Sequence, residues 1–178
     1  MTHHTVTAAE LANAIRNVPD FPKPGIQFKD ITPVLGDARL FAGAIDLLTA
    51  DFVPGSIDAV VGIDARGFIF AAAAALKLKA AFVPVRKKGK LPYRCHEESY
   101  DLEYGSNTVA IHVDALASGK KVILVDDLLA TGGTAGAAIS LINKTGAEIV
   151  EVSFLIELGF LNGRAKLPGH KVKSLILY

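Results

Sequence analysis

Apolar and polar positions along the chain fall into short buried runs separated by helical patterns. Ala59 to Ile63, Ala81 to Val85, Lys121 to Val125 and Ile149 to Ile156 are apolar runs of strand length, which suit strands covered on both faces. Between them, Phe68 to Leu78 and Thr134 to Lys144 have helical patterns, the second ending beside Gly146 at a C-terminal cap position. Strands alternating with helices predict an α/β fold with a central, mostly parallel sheet. Tyr100 to Tyr104 and Asn107 to Val113, divided by Gly105-Ser106, predict a hairpin added to it.

The N-terminal third reads differently. Thr7-Ala-Ala-Glu10 has capping-box spacing and predicts a helix from Ala8 to Asn17. Val18 to Gly36 carries four prolines and predicts a rigid, irregular segment. Asp37 is placed to cap a helix running to about Asp51, with Leu40, Ala44, Leu47 and Leu48 at helical spacing.

Composition narrows the function classes. A chain of 178 residues is expected to form one domain, residues 1–178. Lys plus Arg is 19 against 18 Asp plus Glu, so there is no long-range field to collect nucleic acid or an anionic membrane. The single cysteine, Cys95, cannot form an internal disulfide, and MTHHTVTAAE lacks an apolar leader. These features predict a cytoplasmic location. The five histidines show no paired ligand spacing with the cysteine, so no structural zinc is expected.

Chemistry concentrates in Lys121 to Thr134, KVILVDDLLATGGT, where a strand reaches two acids and then a Gly-rich turn opening a helix. A helix start presents unpaired amides and partial positive charge, which suits a phosphate. Gly132 and Gly133 permit close backbone approach, and the Thr131 and Thr134 hydroxyls add donors. Asp126 and Asp127 would repel that phosphate unless they face sugar hydroxyls or a divalent cation, and a phosphorylated ribose meets both needs. Taken alone, the string also fits an ordinary capped helix with surface aspartates. No Walker loop, Gly-x-Gly-x-x-Gly turn, Gly-x-Ser-x-Gly or His-Glu-x-x-His motif is present.

The whole string resembles the phosphoribosyl-pyrophosphate motif of the type I phosphoribosyltransferases, and four further segments resemble the adenine phosphoribosyltransferase family among them. In Val61-Gly-Ile-Asp-Ala-Arg66-Gly67 the resemblance implies a pyrophosphate loop with Arg66 as ligand and a strained peptide at Asp64-Ala65. RKKGKLP, from Arg86, resembles the start of the family's flexible catalytic loop, here residues 91–104. It makes Arg86, Lys87 and Lys90 candidate diphosphate ligands, although a charge run is equally a solvated surface. Ser99-Tyr-Asp-Leu-Glu103-Tyr104-Gly105 is similar to the family's SYxLEYG signature, implying Glu103 as general acid/base with Tyr104 beside it. FPKPGIQFKDITP, from Phe21, is similar to the adenine-binding segment, placing Gln27, Phe28 and Lys29 at the purine within an N-terminal portion of residues 1–36. Many members have Arg where Lys29 stands, and the two are not equivalent.

The resemblance implies a purine salvage enzyme, a glycosyltransferase that converts adenine and phosphoribosyl pyrophosphate to AMP and pyrophosphate. Magnesium would be held mainly by pyrophosphate, ribose hydroxyls and water rather than by protein ligands. Asp126 and Asp127 would hold the ribose, and Ala130, Thr131, Gly132, Gly133 and Thr134 would anchor the 5′-phosphate. A homodimer is also implied, with no nucleic-acid or membrane partner. The rival readings are a transferase for hypoxanthine, guanine or xanthine, and a non-catalytic regulator that senses phosphoribosyl pyrophosphate.

Overall fold

A computed structural model describes residues 5–101 and 106–178. The chain divides into two compact units, one ending at Ala50 and one running from Asp51 to Tyr178.

In the first unit, α1 (Ala8–Ala14) starts as predicted. The Thr7 hydroxyl accepts from Glu10 N at 3.2 Å, and the Glu10 carboxylate accepts from Thr7 N at 3.0 Å. The helix stops short of Asn17 because the following residues pair elsewhere. β1 (Arg16–Pro19) runs antiparallel to β2 (Gln27–Asp30), and Lys29 Nζ donates across the ribbon to Asn17 Oδ1 at 2.7 Å. The segment expected to be irregular therefore contains part of this ribbon and α2 (Thr32–Gly36), whose Pro33 sits in the first turn, where no amide donor is required. In α3 (Ala38–Leu48), Asp37 Oδ1 accepts from Arg39 N and Leu40 N at 2.9 and 3.0 Å, the cap anticipated. Ile45, rather than Leu47, completes its buried stripe with Leu40, Ala44 and Leu48.

The second unit holds seven strands. β3 (Ala59–Ile63), β4 (Ala81–Lys87), β7 (Lys121–Leu129), β8 (Glu148–Glu157) and β9 (Val172–Leu177) pair parallel. β5 (Cys95–Asp101) and β6 (Ser106–His112) are antiparallel, β6 joining β4, for a spatial order of β5-β6-β4-β3-β7-β8-β9. Apolar side chains from the inner strands, among them Val61, Val83, Leu124 and Phe154, form the buried core with Leu141 and Ile142 of a helix. That helix is α5 (Gly133–Thr145), and α4 (Gly67–Leu78) is its counterpart after β3.

Three differences from the sequence reading matter for the site. β7 does not end at its acids: it pairs with β8 as far as Leu129 opposite Glu157, whereas its ladder with β3 stops at Val125. Asp126 and Asp127 are therefore strand residues standing where β7 has lost one neighbour. The segment 91–104 is not a loop throughout, because Cys95–Asp101 forms a full ladder with β6; as a result Glu98 and Tyr100 are partly buried and Glu97 and Ser99 exposed. β9 has no counterpart among the runs picked out in the sequence.

Candidate active site

The chain leaves β3 toward β4 on one side and leaves β7 toward β8 on the other, so β3 and β7 flank a topological switch point. Ligands of parallel α/β sheets bind in the crevice beyond the strand ends at such a point. A cavity of about 330 Å³ lies there, lined by Asp64 to Arg66 after β3, by Asp126 to Thr134, and by Tyr100 of β5.

Its floor is acidic and largely buried. Asp127 N donates to Asp126 Oδ1 at 2.9 Å, and Arg66 Nε lies 2.8 Å from Asp127 Oδ2. Burial, followed by the charge of Asp127, pushes the Asp126 carboxyl well above its ordinary value. Burial also raises Asp127, with Arg66 opposing. Only glycine fits at position 67, because a Cβ there would run into the Asp126 carboxylate. The Asp64–Ala65 peptide, at the front of this turn, is cis.

The opposite wall is the Gly-rich turn. Gly132 adopts φ 80°, ψ −3°, a left-handed conformation that favours glycine, and no side chain caps the first turn of α5. Its amides are thus left for a ligand. Gly132 is backed by the carbonyl of Gly163, from a 3₁₀ turn at Gly163–Lys166, and a Cβ on either glycine would collide with the other segment.

Arg66, Asp126, Asp127 and Ala130 to Thr134 are therefore gathered around one cavity, as the sequence motifs anticipate. Arg86 is one step removed: its Nε pairs with Asp64 Oδ2 at 3.0 Å, and Nη1 donates to Lys90 O at 3.1 Å. Lys87 and Lys90 are exposed and lie outside the cavity lining. Gln27, Phe28 and Lys29 belong to the first unit, where the rings of Phe28 and Phe21 meet edge to face at 5.0 Å. Glu103 and Tyr104 lie outside the described residues. Among the residues that line or support the site, Asp64, Tyr100 and Gly163 went unassigned in the sequence. The first two sit inside quoted motifs, but nothing local marks Gly163.

Chemically, the site offers amides and hydroxyls to a phosphate, acceptors to vicinal hydroxyls, and a guanidinium to a second anion. Among the described residues no three His, Cys, Asp or Glu side chains gather to hold a metal, and no helix is long and apolar enough to cross a membrane.

Known proteins match this architecture closely. The family described as phosphoribosyl transferase domain matches residues 35–174. The adenine phosphoribosyltransferase of Acidothermus cellulolyticus is 56% identical over 166 residues, covering 93% of this chain and 94% of that one. The crystal structure of the adenine phosphoribosyltransferase from Rhodothermus marinus is 52% identical, with a TM-score of 0.91 over 96% of this chain and 98% of that one. The enzyme from Saccharomyces cerevisiae, solved with adenine and an imino-altritol bisphosphate, is 43% identical with a TM-score of 0.89, covering 94% and 97%. Sequence motifs, strand order and whole-chain similarity thus agree that the chain belongs to the adenine phosphoribosyltransferases, a branch of the phosphoribosyl transferase domain family.

Proposed function

We propose that this chain transfers the 5-phosphoribosyl group of phosphoribosyl pyrophosphate to adenine, releasing AMP and pyrophosphate in purine salvage. The observation that carries the reading is the acidic pair of β7 set between the Arg66 turn and the uncapped start of α5 in one cavity.

The roles follow from the chemistry of each wall. The α5 amides with Thr131 and Thr134 hold the 5′-phosphate, fixing the anomeric carbon and saving orientational entropy at the transition state. Asp126 and Asp127 accept from the ribose hydroxyls. N9 of adenine forms a bond to the anomeric carbon as the bond from that carbon to pyrophosphate breaks, and the proton leaving the purine passes to Glu103, with Tyr104 beside it. Arg66, Arg86, Lys87 and Lys90 take up the charge on the leaving group. Gln27, Phe28 and Lys29 read the base.

Magnesium fits this donor set as a companion of the substrate. The cavity's acids are Asp64, Asp126 and Asp127; Arg86 and Arg66 engage the first and last, and an ion that prefers six oxygens would be held mainly by pyrophosphate, ribose hydroxyls and water. When bound, it neutralises charge on the pyrophosphate.

We further propose a cytoplasmic homodimer in which both units serve one phosphoribosyltransferase domain. From Gly67 to Leu76, α4 carries no charged residue, yet Leu76 is 83% exposed and Ile69 40%, so this face favours a second copy.

The test is product analysis after incubation with magnesium, phosphoribosyl pyrophosphate and, separately, adenine, hypoxanthine, guanine or xanthine. AMP from adenine alone is expected. Product from an oxopurine would overturn the base assignment, and no product would favour a sensor.

A further inference from the structure

Strand β5 is fastened along helix α5 at both ends of that helix. In the last turn, Lys144 Nζ donates to Glu97 O at 2.9 Å and to Glu98 Oε2 at 2.6 Å. In the first turn, Thr134 Oγ1 donates to the Tyr100 hydroxyl at 3.0 Å. Glu98 and Tyr100 share one face of the strand, being two residues apart. The second fastening is unusual in its location, because Tyr100 and its partner Thr134 both line the cavity.

A threonine hydroxyl has one proton and two lone pairs. If Thr134 gives its proton to a phosphate oxygen, its link to Tyr100 survives only when the tyrosine becomes the donor. The 3.0 Å separation permits this without movement of either side chain. We propose that Tyr100 is a positioning residue for the 5′-phosphate, donating to Thr134 Oγ1 while Thr134 donates to the phosphate. The inference rests on the phosphate reading given above for the start of α5. In such a chain each hydrogen bond polarises the next, so Tyr100 strengthens a contact it does not itself make. Because Tyr100 precedes Glu103 by three residues, the same link joins phosphate occupancy to the anchoring of the strand that leads to the proposed acid/base.

Calorimetric titration with ribose 5-phosphate, and with ribose as the phosphate-free probe, tests this on wild type, Tyr100→Phe, Thr134→Val and the double variant. Tyr100→Phe is expected to weaken ribose 5-phosphate binding by roughly two- to twelve-fold, the span of one net hydrogen bond. Ribose binding should not change. The double variant should lose less than the product of the single losses, and Thr134→Ser should restore the dependence on Tyr100. In steady state, Tyr100→Phe should raise KM for phosphoribosyl pyrophosphate more than it lowers kcat. Ribose 5-phosphate binding that is unchanged or tighter in Tyr100→Phe, or single losses that simply multiply, would overturn the relay and leave the proposed function standing. Wild-type protein that binds neither ribose 5-phosphate nor phosphoribosyl pyrophosphate would overturn both.

Discussion

Gly163 offers a stringent test, because it lies far from the motif in sequence and directly behind it in space. Its φ is outside the left-handed region, so alanine there is limited by room alone. An added Cβ would collide with Ala130 O and sit 3.1 Å from Gly132 N and 3.0 Å from a Leu129 methyl. The carbonyl and the amide are backbone atoms of the phosphate turn, which cannot rotate away as the leucine side chain can. To reach the 3.4 Å at which ordinary contact begins, the turn must recede by about 1 Å, and a displacement of that size at a positioning group costs on the order of 10²-fold in rate. Overpacking by one methyl destabilises by about 1–3 kcal/mol, a fall in Tm of roughly 2–12 °C for a chain of this length. Gly163→Ala should therefore remain folded at 25 °C, with kcat/KM for phosphoribosyl pyrophosphate reduced about a hundredfold and adenine binding preserved. Initial rates at varied phosphoribosyl pyrophosphate, calorimetry with each ligand and a thermal melt measure all three. Gly36→Ala, where an added Cβ meets nothing, is the control. A Gly163→Ala enzyme with wild-type KM, kcat and Tm would show that the turn does not depend on the space behind it.

Other expectations rest on the acids and on α4. Asp127→Ala should weaken phosphoribosyl pyrophosphate binding more than adenine binding in separate titrations, since it removes the Arg66 partner at 2.8 Å and a proposed ribose acceptor together; equal losses would indicate a folding defect. Glu103→Gln should fold normally and turn over roughly 10²- to 10⁴-fold more slowly, the usual effect of one acid/base group, and a near-wild-type rate would remove it from the mechanism. Asp126 is raised when folded, so its contribution to stability is full below its ordinary value of 3.8 and is lost as pH rises through the folded value. Asp126→Asn, which keeps an acceptor for Asp127 N, should thus gain Tm over wild type increasingly from about pH 3.8 upward, and parallel melting curves would contradict this. Leu76→Glu should shift the protein from dimer to monomer in sedimentation; an unchanged dimer would place the interface elsewhere.

The sheet's centre was legible because a strand covered on both faces has to be apolar throughout, as Ala59 to Ile63 is. Asp126 through Thr134 could be read because every part of that wall is consecutive in the chain. Short paired strands were harder. β1 contains Pro19 and is largely exposed, and β2 is only half-buried, so no run of apolar residues marks them. β5 reads CHEESYD, a composition expected of a loop, and becomes a strand through its seven-pair ladder with β6. Gly163 is the clearest limit: its requirement is imposed by Ala130 O, a backbone atom over thirty residues earlier, and no neighbouring residue signals it.

The ion pairs Arg66–Asp127 and Arg86–Asp64 bear on which solutes can compete for the cavity. Each arginine brings its own counter-ion, so a simple oxyanion such as sulfate meets the repulsion of a neighbouring carboxylate, partly offsetting what it gains from the guanidinium. A sugar diphosphate escapes this penalty because it supplies anionic oxygens for the guanidinium and hydroxyl protons for the acid in the same molecule. On the proposed reading the pairs act as a conjunction filter: a simple anion satisfies one half of the requirement, and a polyol bearing phosphate groups satisfies both.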